Sequence, residues 1–208
     1  ALLSATAGMK DAAQREKTLG MILQNARTAG KLTLPADWAD VSTKLREGAP
    51  AGVLDMLNEL SALSGDGAAL KGFRETLAKS EAPLSQRERA LLVLVQARDQ
   101  ATARVLQIII EESTEADSRT GVSPVSKGAS PETAPATLAG RSTSTALRRK
   151  AIQALASLPD TETAGVLINR FKNFAPDEKV DAVTTLASTR DGGSALLQAV
   201  ISKKVAAD

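Results

Sequence analysis

The sequence contains no cysteine, no histidine and no tyrosine, and only four of its 208 residues are aromatic. Zinc, copper, haem-iron and iron–sulfur sites take their ligands mainly from Cys and His, so a protein site of these kinds is excluded. Internal disulfides, thiol nucleophiles and His-based triads are excluded for the same reason. Carboxylates, Lys, Arg and hydroxyls remain, and no motif arranges them into an active site. We therefore expect no catalytic residue, no cofactor site and no metal site.

Positive and negative side chains are also nearly balanced in number. Lys and Arg number 26 against 24 Asp and Glu, which gives a net charge of +2. A dedicated nucleic-acid binder carries a larger basic excess, so a nucleic-acid partner is unfavoured. The longest apolar run, Ala90 to Val95, is far shorter than the ~20 residues of a membrane helix, so we expect no membrane insertion.

The chain opens on Ala and shows no signal-peptide pattern. Its first residues, ALLSATAGMKDA, read like the middle of a helix. We therefore expect a segment of a longer protein, and the sequence alone leaves its localisation open.

The residues that are abundant favour helices. Ala occurs 37 times and Leu 26 times, and no segment alternates apolar and polar residues as a half-buried strand would. The fold class predicted is all-α.

An internal repeat organises these helices. Three stretches superpose without gaps, beginning at Arg87, Arg148 and Lys179, and each ends on an acid at a break. The apolar columns fall at i, i+1, i+4 and i+5, which is one side of a helix. The aligned columns are Ala90, Ala151 and Ala182; Leu91, Ile152 and Val183; Leu94, Leu155 and Leu186; Val95, Ala156 and Ala187; and the acids Asp99, Asp160 and Asp191.

The spacing of the acids locates an insertion. Asp160 and Asp191 lie one repeat apart, whereas Asp99 and Asp160 lie almost twice as far apart. The stretch 113–142 accounts for the difference and carries three Pro and three Gly. Its composition predicts a disordered Pro/Ser/Thr/Gly-rich insertion. The chain is thereby divided into helical repeats at 1–112, the insertion at 113–142 and further repeats at 143–208.

Two helices per unit of about 31 residues predict an α-hairpin repeat that stacks into a right-handed α-solenoid. A fainter unit runs from 52 to 79 with Asp66 at its break, and two helices precede it, one over 9–29 and one carrying Trp38. Four helix pairs and a leading pair are expected. Ser85 with Glu88 predicts a capping box, and Pro176 predicts the first turn of a helix.

The basic column Arg87, Arg148 and Lys179 is the strongest polar pattern. It could form a cationic ladder for phosphates. Pairing with the turn acids Asp99, Asp160 and Asp191, or with a neighbouring helix end, is the favoured interpretation, because acids and bases recur together. Arg148, Arg149 and Lys150, with Arg141 nearby, are interpreted as a solvated helix start, since consecutive helical residues point in different directions.

The other polar and aromatic candidates also favour structural roles. Asp177, Glu178 and Asp181 could serve acid/base chemistry or a hard metal, but acids are favoured in a first helical turn by the helix dipole alone. The Gly65–Gly67 and Asp191–Gly193 stretches are interpreted as turns between helices, since neither matches a phosphate-loop spacing. Trp38, Phe171 and Phe174 are interpreted as packing anchors.

At this point the residues suggest a family. The stretch from Leu167 resembles a block in very large proteins of PVC-group bacteria, which look like membrane-bound dehydrogenases with a β-propeller of glucose/sorbosone dehydrogenase type, HEAT-like repeats and a haem c-binding domain. The features that match are a helix break before Ala175-Pro176, Thr185-Leu186-Ala187-Ser188 and Leu196-Leu197-Gln198-Ala199-Val200, with Pro35, Trp38, GVLDMLNEL and LSQRERALLVL upstream.

The resemblance implies a HEAT-like scaffold or spacer between protein domains of a redox protein in the periplasm or cell envelope. The haem-attachment motif C-x-x-C-H is absent, so no catalytic or haem-binding role passes to any residue. Nucleic-acid binding on a cationic concave face is the alternative function. An enzyme of the chromophore-lyase type, which also uses a HEAT-like fold, ranks last because no pocket with convergent polar groups is indicated.

Overall fold

The computed structural model describes residues 2–29, 32–119 and 136–205. Within these ranges all regular structure is helical, which confirms the all-α class. Eleven α-helices and one turn of 3-10 helix at Phe171–Asn173 are present in this part of the chain. The α-helices are α1 Leu2–Ala7, α2 Ala12–Ala29, α3 Trp38–Arg46, α4 Ala51–Leu63, α5 Gly67–Ala78, α6 Leu84–Gln96, α7 Thr102–Arg119, α8 Ala136–Leu155, α9 Thr163–Arg170, α10 Pro176–Ala187 and α11 Arg190–Ile201.

The helices form two compact units. The first contains the chain up to Thr76 together with Arg89–Asp99, and the second contains Leu77–Glu88 and the chain from Gln100 onward. This division differs from the segments 1–112 and 143–208. The helices on either side of 113–142, α7 and α8, pack against each other inside the second unit.

The core of the first unit is built by α2, α3 and α4. Leu19, Leu45, Leu57 and Leu60 are fully buried there, and Trp38 packs against this cluster. The indole Nε1–H of Trp38 donates to Ser61 Oγ at 3.3 Å. Trp38 is therefore a packing residue, as the sequence indicates.

The beginning of the chain differs from the single helix expected over 9–29. A short helix, α1, ends at Ala7, and α2 begins only at Ala12. The carboxylate of Asp11 accepts hydrogen bonds from the backbone N–H groups of Ala13 and Gln14 at 2.9 and 3.3 Å. Asp11 thus caps α2 and fixes its start.

In the second unit, consecutive helix pairs pack in the same order. The first helix α8 contacts the next first helix α10, and the second helix α9 contacts the next second helix α11. The hydroxyl of Thr185 on α10 donates to the backbone carbonyl of Ile152 on α8 at 2.9 Å. A buried polar bond therefore fixes the register between the two first helices.

The aligned apolar columns are largely in the core. The columns that begin with Ala90 and Leu94 are buried in all three stretches, and in the Leu91 column only Val183 is exposed, at 37%. The column of Val95, Ala156 and Ala187 is not buried, and Ala187 is exposed. The buried members are Ala90, Ala151, Ala182, Leu94, Leu155, Leu186, Leu91 and Ile152.

The stretch predicted to be disordered is helical at both ends. Helix α7 continues to Arg119 and α8 begins at Ala136, so 113–119 and 136–142 were wrongly assigned, while 120–135 lies outside the described residues. Ser113 Oγ donates to the Ile109 carbonyl at 2.7 Å, within the continuing helix. Glu and Ala, both good helix formers, follow Ser113, and Ala136 begins a similar run.

Two proline signals place the helix ends correctly. Pro159 and Asp160 separate α8 from α9, and Pro176 is the first residue of α10. The capping box at Ser85 was wrong, because α6 begins at Leu84 and Ser85 lies inside its first turn.

The interpretation of Asp191–Gly193 as a turn between helices was also wrong. These residues form the first turn of α11, and Thr189 Oγ1 accepts from the Gly192 N–H at 3.1 Å. A Cβ on Gly192 would collide with the Leu186 carbonyl, so α11 approaches α10 as closely as only glycine allows. By contrast, Gly65–Gly67 does form the turn between α4 and α5, with Gly65 at a φ of +91°.

Candidate functional site

The basic column does not form a ladder. Arg87 donates from Nε to the Leu77 carbonyl at 2.9 Å, the end of the preceding helix α5. Burial lowers the pKa of the Arg87 guanidinium. Contact with a neighbouring helix end, one of the two partners expected for this column, is thus confirmed at Arg87.

Arg148 forms a buried ion pair with Glu178. Arg148 Nε lies 2.7 Å from Glu178 Oε1 and Nη2 lies 3.1 Å from Oε2, and the two side chains are only 3% and 1% exposed. Glu178 Oε2 also accepts the Ala175 N–H at 2.9 Å. The carboxylate therefore caps α10 and joins it to α8 at once.

Arg149 and Lys150 have separate acidic partners. Arg149 contacts Asp181 through Nε and Asp177 through Nη1, the latter at 3.3 Å, and the hydrogen bond to Asp181 raises the Arg149 pKa. Lys150 Nζ lies 2.9 Å from Glu88 Oε1. The three bases lie in the interior of α8, so the helix-start interpretation was wrong.

The acids of α10 are thus more than dipole partners. Asp177, Glu178 and Asp181 receive Arg149 or Arg148 from α8. Their carboxylates neutralise cations in the interface between two helix pairs.

Lys179, the third base of the column, lies over an aromatic ring. Its Nζ is 5.9 Å from the Phe171 ring centroid, within the range of a cation–π contact. Phe171 and Phe174 are both buried and meet edge to face with ring centroids 6.4 Å apart. The two phenylalanines are packing anchors, as expected.

The contacts of Arg87, Arg148 and Lys179 described above are with groups other than the turn acids. Asp99 accepts from Arg74 Nη1 at 2.7 Å, and Asp160 accepts from Gln107 Nε2, also at 2.7 Å. Base and acid in one aligned stretch are separated by about twelve residues, or about 18 Å along a helix, and so belong to opposite ends. Asp99 and Asp160 each have a partner on another helix.

A second buried carboxylate, Glu59, lies in the first unit and was not singled out from the sequence. Glu59 is 1% exposed and contacts Arg27 Nε, with Arg89 Nη2 at 3.2 Å. Arg89 also reaches Asp55 at 2.8 Å, and the bond to Glu59 raises the pKa of Arg27. The available signal is an acid inside the apolar run of α4, between Leu57 and Leu60.

The second unit contains a cavity of about 390 Å³ beside the first turns of α9 and α11. Asp160, Thr189 and Arg190 are among its lining residues. Asp160 Oδ1 already accepts the Glu162 N–H at 2.9 Å, and Thr189 accepts that of Gly192. The chain's own side chains therefore already engage these two helix-start donors.

The described residues contain no group of three or more acids placed to hold a metal ion. In the same part of the chain, no helix combines the length and the apolar character needed to cross a bilayer. Comparison of the chain with protein-family models, curated proteins and solved structures gives no match.

Proposed function

We propose that the chain is a non-catalytic scaffold in which HEAT-like helix pairs stack into a right-handed α-solenoid that spaces and docks protein domains. The observation that carries this proposal is the packing of α8 on α10 and of α9 on α11. Stacking of like helix on like helix is how solenoid repeats bury their faces. Extended along the chain, the same rule produces an array with a continuous binding surface.

The charge pairs support a structural role. Arg148 and Glu178 neutralise each other inside the interface, and Arg149 and Lys150 are each paired with acids. Such pairs fix how one helix pair sits on the next. They leave less positive charge for phosphates, which weighs against the alternative function of nucleic-acid binding on a cationic concave face.

The resemblance to the large dehydrogenase-like proteins suggests which domains the scaffold would separate and in which compartment. There the chain would hold a propeller-type dehydrogenase domain and a haem c-binding domain apart, in the periplasm or cell envelope. The gene beyond the codon for Asp208 tests this setting. A C-x-x-C-H motif within about 150 further residues, one domain length, supports it. A stop codon at that point contradicts it.

The scaffold itself is tested by shape and by binding. Small-angle X-ray scattering of the purified chain should show an elongated particle, and a radius of gyration near the ~17 Å expected for a compact domain of this length would contradict the solenoid. Duplex DNA at physiological salt should give no gel shift. A shift that weakens with added salt would favour the nucleic-acid alternative.

A further inference from the structure

The last helix pair leaves apolar side chains uncovered. Val180 and Val183 on α10 are 66% and 37% exposed, and Leu197 and Ile201 on α11 are 67% and 81% exposed. These four residues, the terminal face below, are half of the large hydrophobic side chains that are exposed among the described residues. End repeats of a solenoid normally carry a polar outer surface, and this pair does not.

At two of these four positions the equivalent residue one repeat earlier is buried, whereas Val180 and Ile201 align with Arg149 and Arg170, which are not buried. Ile152 aligns with Val183 and is fully buried, and Val166 aligns in the same register with Leu197 and is 8% exposed. Ile152 and Val166 belong to α8 and α9, the pair on which α10 and α11 stack. Two positions that are buried in the pair beneath α10 and α11 are therefore exposed in the last pair.

The repeat register continues past α11. Val205 lies one repeat after Phe174, and both are buried, at 3% and 2%. In the sequence, Ala206 and Asp208 then match Ala175 and Asp177, which lead into α10. The sequence that follows α11 thus resembles the sequence that leads into α10.

The charge pattern continues as well. Lys179 occupies the position of Arg148, and Arg148 receives the first-turn acid Glu178 of the following pair. Lys179 is half-buried, with its Nζ over the Phe171 ring. In a following helix pair, the acid at the position of Glu178 would lie beside Lys179. This complementarity specifies the charge of the occupant as well as its apolar face.

We propose that the terminal face docks a further helix pair of the same repeat, which follows in the register of Val205 and brings a first-turn acid to Lys179. This inference rests on the solenoid arrangement of the proposed function. The occupant stacks on α10 and α11 as these stack on α8 and α9, and it covers Val183 and Leu197.

The absence of cysteine permits a direct test by thiol labelling. Residues 1–205 are extended by a copy of residues 175–205, and Val183→Cys is introduced in the original repeat of the extended and the unextended chain. Docking should slow the reaction of this thiol with Ellman's reagent by about tenfold or more in the extended chain, because buried thiols react slowly. The matched control is Leu92→Cys, whose position on α6 is 52% exposed and whose rate should not change.

Charge reversal tests the register. Lys179→Glu in the original repeat should restore fast labelling of the extended chain, and Glu178→Lys in the appended copy should slow it again. Equal labelling rates with and without the copy would overturn the proposal. Protection of the unextended chain that rises with protein concentration would also overturn it, since a second copy would then occupy the face. The scattering measurement on the unextended chain reports separately on the solenoid.

Discussion

Among the described residues, each compact unit buries one carboxylate, and the two carboxylates are neutralised in different ways. Glu59 is 1% exposed while its partners Arg27 and Arg89 are 33% and 40% exposed. Glu178 and its partner Arg148 are both buried, at 1% and 3%. In the first unit water solvates the cations, and in the second the ion pair is sealed. Removal of the acid should therefore lower the free energy of unfolding more in the second unit, where the cation cannot reach water.

Glu178→Ala should have the largest effect. It leaves the Arg148 guanidinium buried without its carboxylate, so the free energy of unfolding should fall by about 3–5 kcal/mol. Urea denaturation followed by circular dichroism measures this loss. The control is Asp177→Ala, whose carboxylate is 76% exposed and whose removal should change little. A loss at Glu178 no greater than that control would contradict the sealed-pair interpretation.

Glu59→Ala should have an intermediate effect, with a fall of about 1–3 kcal/mol in the free energy of unfolding. Its two arginines can turn toward solvent once the acid is gone. The same denaturation experiment applies, with Asp55→Ala as the control because Asp55 is 56% exposed. If Glu59→Ala proves as damaging as Glu178→Ala, exposure of the cation does not decide the cost.

Replacing both members of the sealed pair sharpens the comparison. Arg148→Met combined with Glu178→Leu removes both charges together and keeps an apolar contact between α8 and α10. The stability lost should be about 1 kcal/mol, chiefly from the hydrogen bond to the Ala175 N–H. A double variant as unstable as Glu178→Ala alone would show that the charges are needed for more than neutralising each other.

Arg149→Ala should have the smallest effect, although Arg149 contacts two acids. Its side chain is 45% exposed, and although Asp181 is only 15% exposed, Asp177 is 76% exposed, so water reaches the guanidinium and salt screens its contacts. The small decrease in thermal midpoint should vanish in about 1 M NaCl, where the screening length is only a few ångströms. A decrease that persists at high salt would place Arg149 with the sealed pair instead.

The repeat could be predicted from the sequence because its core positions are local. Ala151 and Leu155, like Ala182 and Leu186, are related as i and i+4, so one turn of helix places each pair on the buried side. The breaks at Pro159 and Pro176 follow from the missing N–H and fixed φ of proline. These features need no knowledge of neighbouring helices.

The charge partners could not be predicted in the same way. Arg148 meets Glu178 rather than Asp160 because the distance across an interface depends on how two helices stack. Glu59 was missed because its partners Arg27 and Arg89 are distant in sequence. The helical ends of 113–142 were missed because Pro and Gly content was averaged over the whole stretch, although the prolines lie only between 124 and 135.

The stretch between α7 and α8 has a consequence for how the chain folds. Some bonded pairs are separated by about one repeat along the chain, namely Arg148 with Glu178 and Arg27 with Glu59. Others are separated by almost two repeats, namely Gln107 with Asp160 and Arg104 with Glu162. Near-doubling of a loop adds about 0.6 kcal/mol of closure entropy to the contacts across it. Contacts within α2–α4 and within α8–α11 should accordingly form first on refolding, and the joining of α7 to α9 should be the slow, late step.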